Sequence, residues 1–313
     1  MTERDRFQGC LLGLATGDAV GATLEFQRPG TFQPIADMVG GGPFNLRPGE
    51  WTDDTSMALC LASSLVECNG FDPRDQVERY CRWAREGYMS STGNCFDIGN
   101  TVRAALAGYE ATGDPFSGLL SVASAGNGSI MRLAPVAMYY FPHRHAIEYY
   151  AGESSRTTHG TQECVEACRL LGGVLGRALS GQSKEEVLAS GNSTFQAPRI
   201  GAIARGQYRH KSATEIRGRG YVVASLEAAL WCFDRTDSFE SAVLSAANLG
   251  DDADTTAAVC GQVAGAYYGA SSIPSRWLAR LAQEPFIREL ASRLHRATKA
   301  AAYARSVRRL PLV

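Results

Sequence analysis

Apolar residues recur along this chain at three- and four-residue intervals, and the alternation that marks half-buried strands is almost missing. Residues 55–67 carry Met57, Leu59, Leu61 and Leu65 as inward-facing positions and stop before the turn signal Asn69-Gly70. Asp72-Pro73 opens a second helix to about Arg85, with Asp as N-cap and Pro at the first helical position. The same period predicts helices over 99–111, 130–140, 162–179, 221–233, 239–248 and 256–268, and from 285 to about 302. Phe7-Gln8-Gly9-Cys10-Leu11-Leu12-Gly13-Leu14 is read as a core helix, because no small-residue cleavage site follows it. Weak strand candidates are limited to 44–46 and 220–223. The pattern predicts an all-α fold. No fixed-period repeat or low-complexity linker divides it, so 1–313 is read as a single compact multi-helix domain.

Composition narrows the class. With 313 residues, 45% of them hydrophobic, the chain can build a large core. A formal net charge of -1 supplies no field toward nucleic acid or an acidic membrane. No stretch approaches the roughly 18 apolar residues of a membrane span. Nine cysteines, odd in number and without a Cys-x-x-Cys pair, point to reduced thiols, a cytoplasmic location and small core residues. The polar stretch from Gly191 to Gly220, rich in arginine, is read as a long loop. A basic face around Arg293 to Arg309 is expected to be solvated, and the chain to be a monomer.

Two short acidic clusters carry the chemistry. Thr52-Asp53-Asp54 and Asp251-Asp252-Ala253-Asp254-Thr255 each precede an apolar run, so each sits at a helix start. Asp and Thr are ordinary caps there. A cap needs one acid, however, and each cluster has surplus carboxylates beside a threonine hydroxyl. If the fold joins the two starts, the donors are hard oxygens with no His or Cys among them, which suits a pair of Mg²⁺ or Mn²⁺ ions. Two such ions activate a water and hold a substrate oxygen. Gly126-Asn127-Gly128-Ser129, placed before a predicted helix, is either a plain turn with a serine cap or an anion cradle at a helix start. His159, in Arg156-Thr157-Thr158-His159-Gly160, is either structural or a phosphate or ribose contact. Glu25 and Asp97 are lone carboxylates in apolar settings, either buried caps or a tuned general acid and base.

Taken in order, these segments resemble the ADP-ribosylglycohydrolase family. The resemblance is carried by Gly13–Phe26 (GLATGDAVGATLEF), WTDDT from Trp51, FDIGNT from Phe96 and GNGSIMR from Gly126. RTTH from Arg156, GYVVASLEAALW from Gly220 and NLGDDADTTA from Asn248 complete the set, which spans nearly the whole chain. FDIGNT looks most like the bacterial branch that contains the dinitrogenase reductase-activating glycohydrolase. The resemblance implies an all-α fold around a dinuclear Mg²⁺ or Mn²⁺ cleft. It also implies a hydrolase that removes ADP-ribose from a modified protein, at arginine in that branch. By the resemblance, Thr52, Asp53, Asp54, Asp252, Asp254 and Thr255 are the metal ligands, Asp97 lies beside the scissile bond and Glu25 near the metals. Gly126, Asn127, Gly128 and Ser129 cradle the diphosphate with His159 nearby, and Tyr221 flanks the adenosine. Asp251 stands where the family usually has Gly, and Ala224 where related chains often carry Asp. Another ADP-ribose linkage (serine-linked, O-acetyl-ADP-ribose or nucleobase) and a non-catalytic ADP-ribose-binding descendant stay open as alternatives.

Overall fold

A computed structural model describes residues 1–189, 191 and 193–307 of the chain. Its α-helices in chain order are α1 (Glu3–Gly21), α2 (Asp53–Glu67), α3 (Pro73–Glu86), α4 (Asn100–Thr112) and α5 (Ala134–Tyr140). Next come α6 (Arg144–Arg156), α7 (Gln162–Leu179), α8 (Lys184–Leu188), α9 (Pro198–Ala204) and α10 (Val222–Asp234). The chain continues through α11 (Phe239–Ala247), α12 (Ala253–Tyr268), α13 (Ser275–Leu278) and α14 (Glu284–Val307). Strand pairing among the described residues is limited to isolated bridges, one of them Gly41 with Leu46 and another Gly126 with Tyr221. The two weak strand candidates therefore end as single rungs inside an all-α fold.

The centre is a seam of small residues. Gly9, Gly13, Gly17 and Gly21 recur every four residues on one ridge of α1, against α12. A Cβ built on Gly13 would lie 2.3 Å from the Gly261 carbonyl oxygen, and one on Gly17 2.1 Å from that of Ala257. The two backbones are thus in contact, and α1 is buried from Phe7 to Gly21. Close approach fixes the register, so Asp18 of α1 comes to lie beside the first turn of α12. A large apolar cluster surrounds this seam. A smaller one, including Met57, Val77, Trp83, Val102 and Leu106, packs α3 and α4 on the outer side of α2.

Two expectations change. The helix predicted from residue 130 begins only at Ala134, with Pro135 in its first turn. Residues 128–132 form turns instead. Buried Gln262 compensates: its Nε2 donates to the Ile130 and Met131 carbonyls, and its Oε1 accepts from the Ala134 amide. Tertiary hydrogen bonds outweigh local propensity here. The polar stretch 191–220 is also not a plain loop. Pro198 starts α9, which buries Ile200 and Ile203 one turn apart, and Glu166 accepts the Gln196 and Ala197 amides before it. The basic face expected near the carboxy terminus lies in part outside the described residues. No helix among the described residues is long and apolar enough to cross a membrane.

Candidate metal centre and substrate cleft

Both acidic clusters lie at helix starts, where among their carboxylates Asp254 alone accepts a first-turn amide, that of Thr255 at 2.8 Å. Thr52 and Asp252 occupy the N-cap positions of α2 and α12 without a side-chain capping bond. The work at α2 is done from another helix. Asp18 Oδ1 accepts from the Thr52 amide (2.8 Å) and hydroxyl (2.9 Å), and Oδ2 from the Thr55 amide (2.9 Å) and hydroxyl (2.6 Å). This carboxylate takes two backbone amides at the helix start and leaves the Asp53 and Asp54 side chains out of the capping.

Freed in this way, the acids converge. Carboxylate oxygens of Asp18, Asp54 and Asp254 lie within 4.8 Å of one another, as do those of Glu25, Asp97 and Asp254. Asp254 belongs to both triads. Its Oδ2 accepts from the Thr52 hydroxyl at 3.1 Å, and the Thr255 hydroxyl donates to Asp54 Oδ2 at 3.4 Å. Asp18 and Asp54 are fully buried and Asp254 is 1% exposed. Asp54 Oδ1 and Glu25 Oε2, both buried, have no hydrogen-bond partner among the described residues. No lysine or arginine forms an ion pair with any of these acids among the described residues, so a buried anionic cluster lacks counter-charge.

The titration behaviour follows. Burial first, then Asp97 and the other neighbouring carboxylates, push Glu25 up to about 10. Burial, then the charges of Asp252 and Asp18, push Asp97 up to about 7. Asp53, Asp54 and Asp254 are driven well above the usual carboxylate range, by burial first and then by the charges of Asp97, Asp18 and Glu25 respectively. Divalent cations would reverse these shifts, and the hard, partly unpartnered oxygens fit that role. Glu25 and Asp97, assigned to proton transfer from the sequence, are thus also within reach of a cation beside Asp254.

Glu25, Asp53, Asp97, Asp252 and Thr255 line a cleft of about 250 Å³ with Phe26, Asn100, Thr101, Gly126, Asn127, Gly128 and His159. Asn127 joins its two ends by donating from Nδ2 to Asp252 Oδ2 at 3.0 Å. Gly128 approaches the His159 ring so closely that a Cβ would lie 2.8 Å from Cε1. The amides of Gly128 and Ser129 donate to no acceptor among the described residues. Thr158 Oγ1 accepts from Arg132 at 2.6 Å, leaving its own proton for His159 Nδ1 at 2.8 Å. With the Thr158 hydroxyl as donor to Nδ1, the imidazole proton sits on Nε2 and faces the glycine loop. Burial, then the Arg132 charge, lowers its pKa to about 3 and keeps it neutral.

Other sequence-nominated residues sit outside this lining. Ser129 is turned inward, with its hydroxyl accepting from Ser155 (3.0 Å) and from the Cys168 thiol (3.3 Å). Because α5 starts late, the glycine loop is not at a helix start, and only its amides and His159 are left as donors. Tyr221 reaches the site through its backbone bridge to Gly126, while its hydroxyl donates to Glu163 and accepts from Arg199. Asp251 lies outside both triads, 3.7 Å from Arg219, and takes φ +54°. A glycine would meet that backbone freely, and Asp is among the residues that tolerate it. Ala224 is half-buried on α10.

Sequence reasoning passed over two residues. Asp18 carried the same signal as Glu25, a lone carboxylate in an apolar glycine-rich run. Arg132, fully buried, donates to the Gly128 carbonyl at 2.9 Å and stacks 4.7 Å from the Tyr80 ring centroid. It has no carboxylate partner among the described residues and puts positive charge beneath the glycine loop.

The comparisons agree with this geometry. A model of the ADP-ribosylglycohydrolase family matches residues 1–303. The chain is 48% identical over 293 residues to a Pseudomonas putida (strain GB-1) protein named ADP-ribosylarginine hydrolase Tri1, covering 93% of this chain and 78% of that one. It is 33% identical to the ADP-ribosyl-[dinitrogen reductase] glycohydrolase of Rhodospirillum rubrum, covering 88% and 90% respectively. A solved structure described as an ADP-ribosylglycohydrolase-related protein complex superposes with TM-score 0.84 at 44% identity, covering 95% of this chain and 99% of that one. Fold, cleft and relatives lead to one conclusion: the chain belongs to the ADP-ribosylglycohydrolase family.

Proposed function

We propose that this enzyme hydrolyses the N-glycosidic bond between ADP-ribose and an arginine side chain of a modified protein. The observation that carries the reading is the pair of acid triads sharing Asp254, beside a cleft also lined by the glycine loop and His159. Asp53, Asp54 and Asp254, with Thr52, Asp252 and Thr255, would hold two Mg²⁺ or Mn²⁺ ions. Bound there, the ions supply Lewis acidity and make a water in the cleft more acidic.

The chain's own groups account for the rest. The Gly128 and Ser129 amides and the His159 Nε2–H are the donors for the diphosphate, with Arg132 adding charge below them. The carboxylates at the opposite end stabilise positive charge developing at the anomeric carbon of the distal ribose. Bond breakage between that carbon and nitrogen leaves a guanidine that takes up a proton, while water oxygen bonds to the carbon. Asp97 lines the cleft where it can hand over that proton and take one back from the attacking water. The name of the Pseudomonas putida relative, ADP-ribosylarginine hydrolase, supports arginine over other linkages.

The deciding experiment incubates the protein with Mn²⁺ or Mg²⁺ and two substrates, one ADP-ribosylated on arginine and one on serine. Free ADP-ribose is expected from the arginine substrate alone, and a chelator should stop it. No release from arginine with either ion would overturn the reading.

A further inference from the structure

The segment after Glu25 holds a feature that the metal centre does not explain. Phe26 is 66% exposed, lines the cleft, and has φ +62°. A bulky residue in the left-handed region is a true outlier, and such strain persists only where the surroundings impose it. Met89 shares the conformation (φ +59°), but it is packed against the core. Phe26 belongs to neither apolar cluster. Its strain is therefore not offset by burial.

What imposes it is a clasp. The Phe26 amide donates to the Asp251 carbonyl at 2.7 Å, and the Asp251 amide donates to the Gln27 carbonyl at 2.7 Å. These two bonds tie the residue after Glu25 to the residue before Asp252, so the ring is held at the acidic end of the cleft. Carboxylates of Glu25, Asp53, Asp97 and Asp252 line the same space, and no lysine or arginine does. An aromatic face beside carboxylates, with no basic side chain among the lining residues to occupy it, suits a planar cation. A guanidinium stacks on aromatic rings and pairs with carboxylates at the same time.

We infer that Phe26 is the specificity-determining contact for the leaving group, its ring receiving the guanidinium of the target arginine beside Asp97 and Glu25. This rests on the arginine reading above. A neutral serine leaving group would gain nothing from the ring's quadrupole, so the same residue favours arginine over serine.

The test uses the full chain with Mn²⁺ and a peptide carrying ADP-ribosylarginine, comparing wild type with Phe26→Leu, Phe26→Gly and Phe26→Tyr. Calorimetry on free ADP-ribose runs in parallel. Phe26→Leu and Phe26→Gly should each lower kcat/KM about 3- to 30-fold, the range set by a cation–π contact. Phe26→Tyr should stay within about twofold of wild type, because the ring face is retained. ADP-ribose affinity should be unchanged in all three. The glycine variant relieves the backbone strain, so equal losses in it and in the leucine variant assign the effect to the ring. Unchanged kcat/KM in Phe26→Leu overturns the inference, as does a matching loss of ADP-ribose affinity. Failure of the wild type on the arginine peptide would overturn the arginine reading itself, and it would show before any variant is made.

Discussion

The two ends of the cleft respond to burial in opposite directions and arrive at the same electrical state. At the acidic end, burial and mutual repulsion raise Asp97 to about 7 and Glu25 to about 10. At the donor end, burial and Arg132 lower His159 to about 3. Both ends move toward neutrality, as desolvation requires. They differ in what remains unsatisfied. Among the described residues, the Gly128 and Ser129 amides and Arg132 Nε lack acceptors at one end, and Asp54 Oδ1 and Glu25 Oε2 lack donors at the other. The donor end keeps unpaired N–H groups that suit an anion, and the acidic end keeps unpaired oxygens that suit cations.

The strongest way to break this contrast is at the residue common to both triads. Asp254→Asn should lower ADP-ribose release by at least about 10³-fold, because both cation positions lose a ligand. The cation-free variant should nevertheless melt above the cation-free wild type at neutral pH, since Asn is neutral without the proton that buried Asp254 must take up. Full activity in this variant would sink the dinuclear reading.

A smaller and one-sided effect is expected at the donor end. His159→Ala removes one hydrogen bond to a charged group, which predicts about a 10- to 100-fold loss in kcat/KM. Calorimetric Mn²⁺ affinity should be unaffected. A parallel loss of Mn²⁺ binding would show that the two ends are not independent.

The mildest test is titration. The raised pKa values of Asp97 and Glu25 mean that the folded, cation-free chain holds protons the unfolded chain gives up. Their contribution is therefore full below about pH 4 and is lost as pH rises toward 7 for Asp97 and 10 for Glu25. Thermal melts should show the cation-free protein weakening by a few degrees over this range, with stabilisation by Mn²⁺ growing as pH rises. A Mn²⁺ effect that shrinks with rising pH would contradict the acidic end as described.

Much of this was legible beforehand, for identifiable reasons. The helix periods of α2, α3 and α7 come from local spacing, and the acidic clusters announce themselves by having more carboxylates than a cap can use. What failed locally was decided across the molecule. The start of α5 is set by Gln262, more than 120 residues away, and Ser129 is turned inward by Ser155 and Cys168. The missed α6 has a mixed surface with a weak apolar stripe. The missed Asp18 looked like one more core position.

By itself, then, the sequence determined the helical class, the hard-oxygen character of the ligands and the family, because these depend on residue types and short spacings. Tertiary structure alone decided that Asp254 is shared by two triads, that Asp18 caps α2 in place of the local acids, and that Phe26 is held strained at the cleft mouth. The first rests on the glycine seam between α1 and α12 and the last on the clasp at Asp251, contacts between segments more than 200 residues apart, while the Asp18 cap joins helices 34 residues apart. Local spacing has no information about which distant backbones can touch.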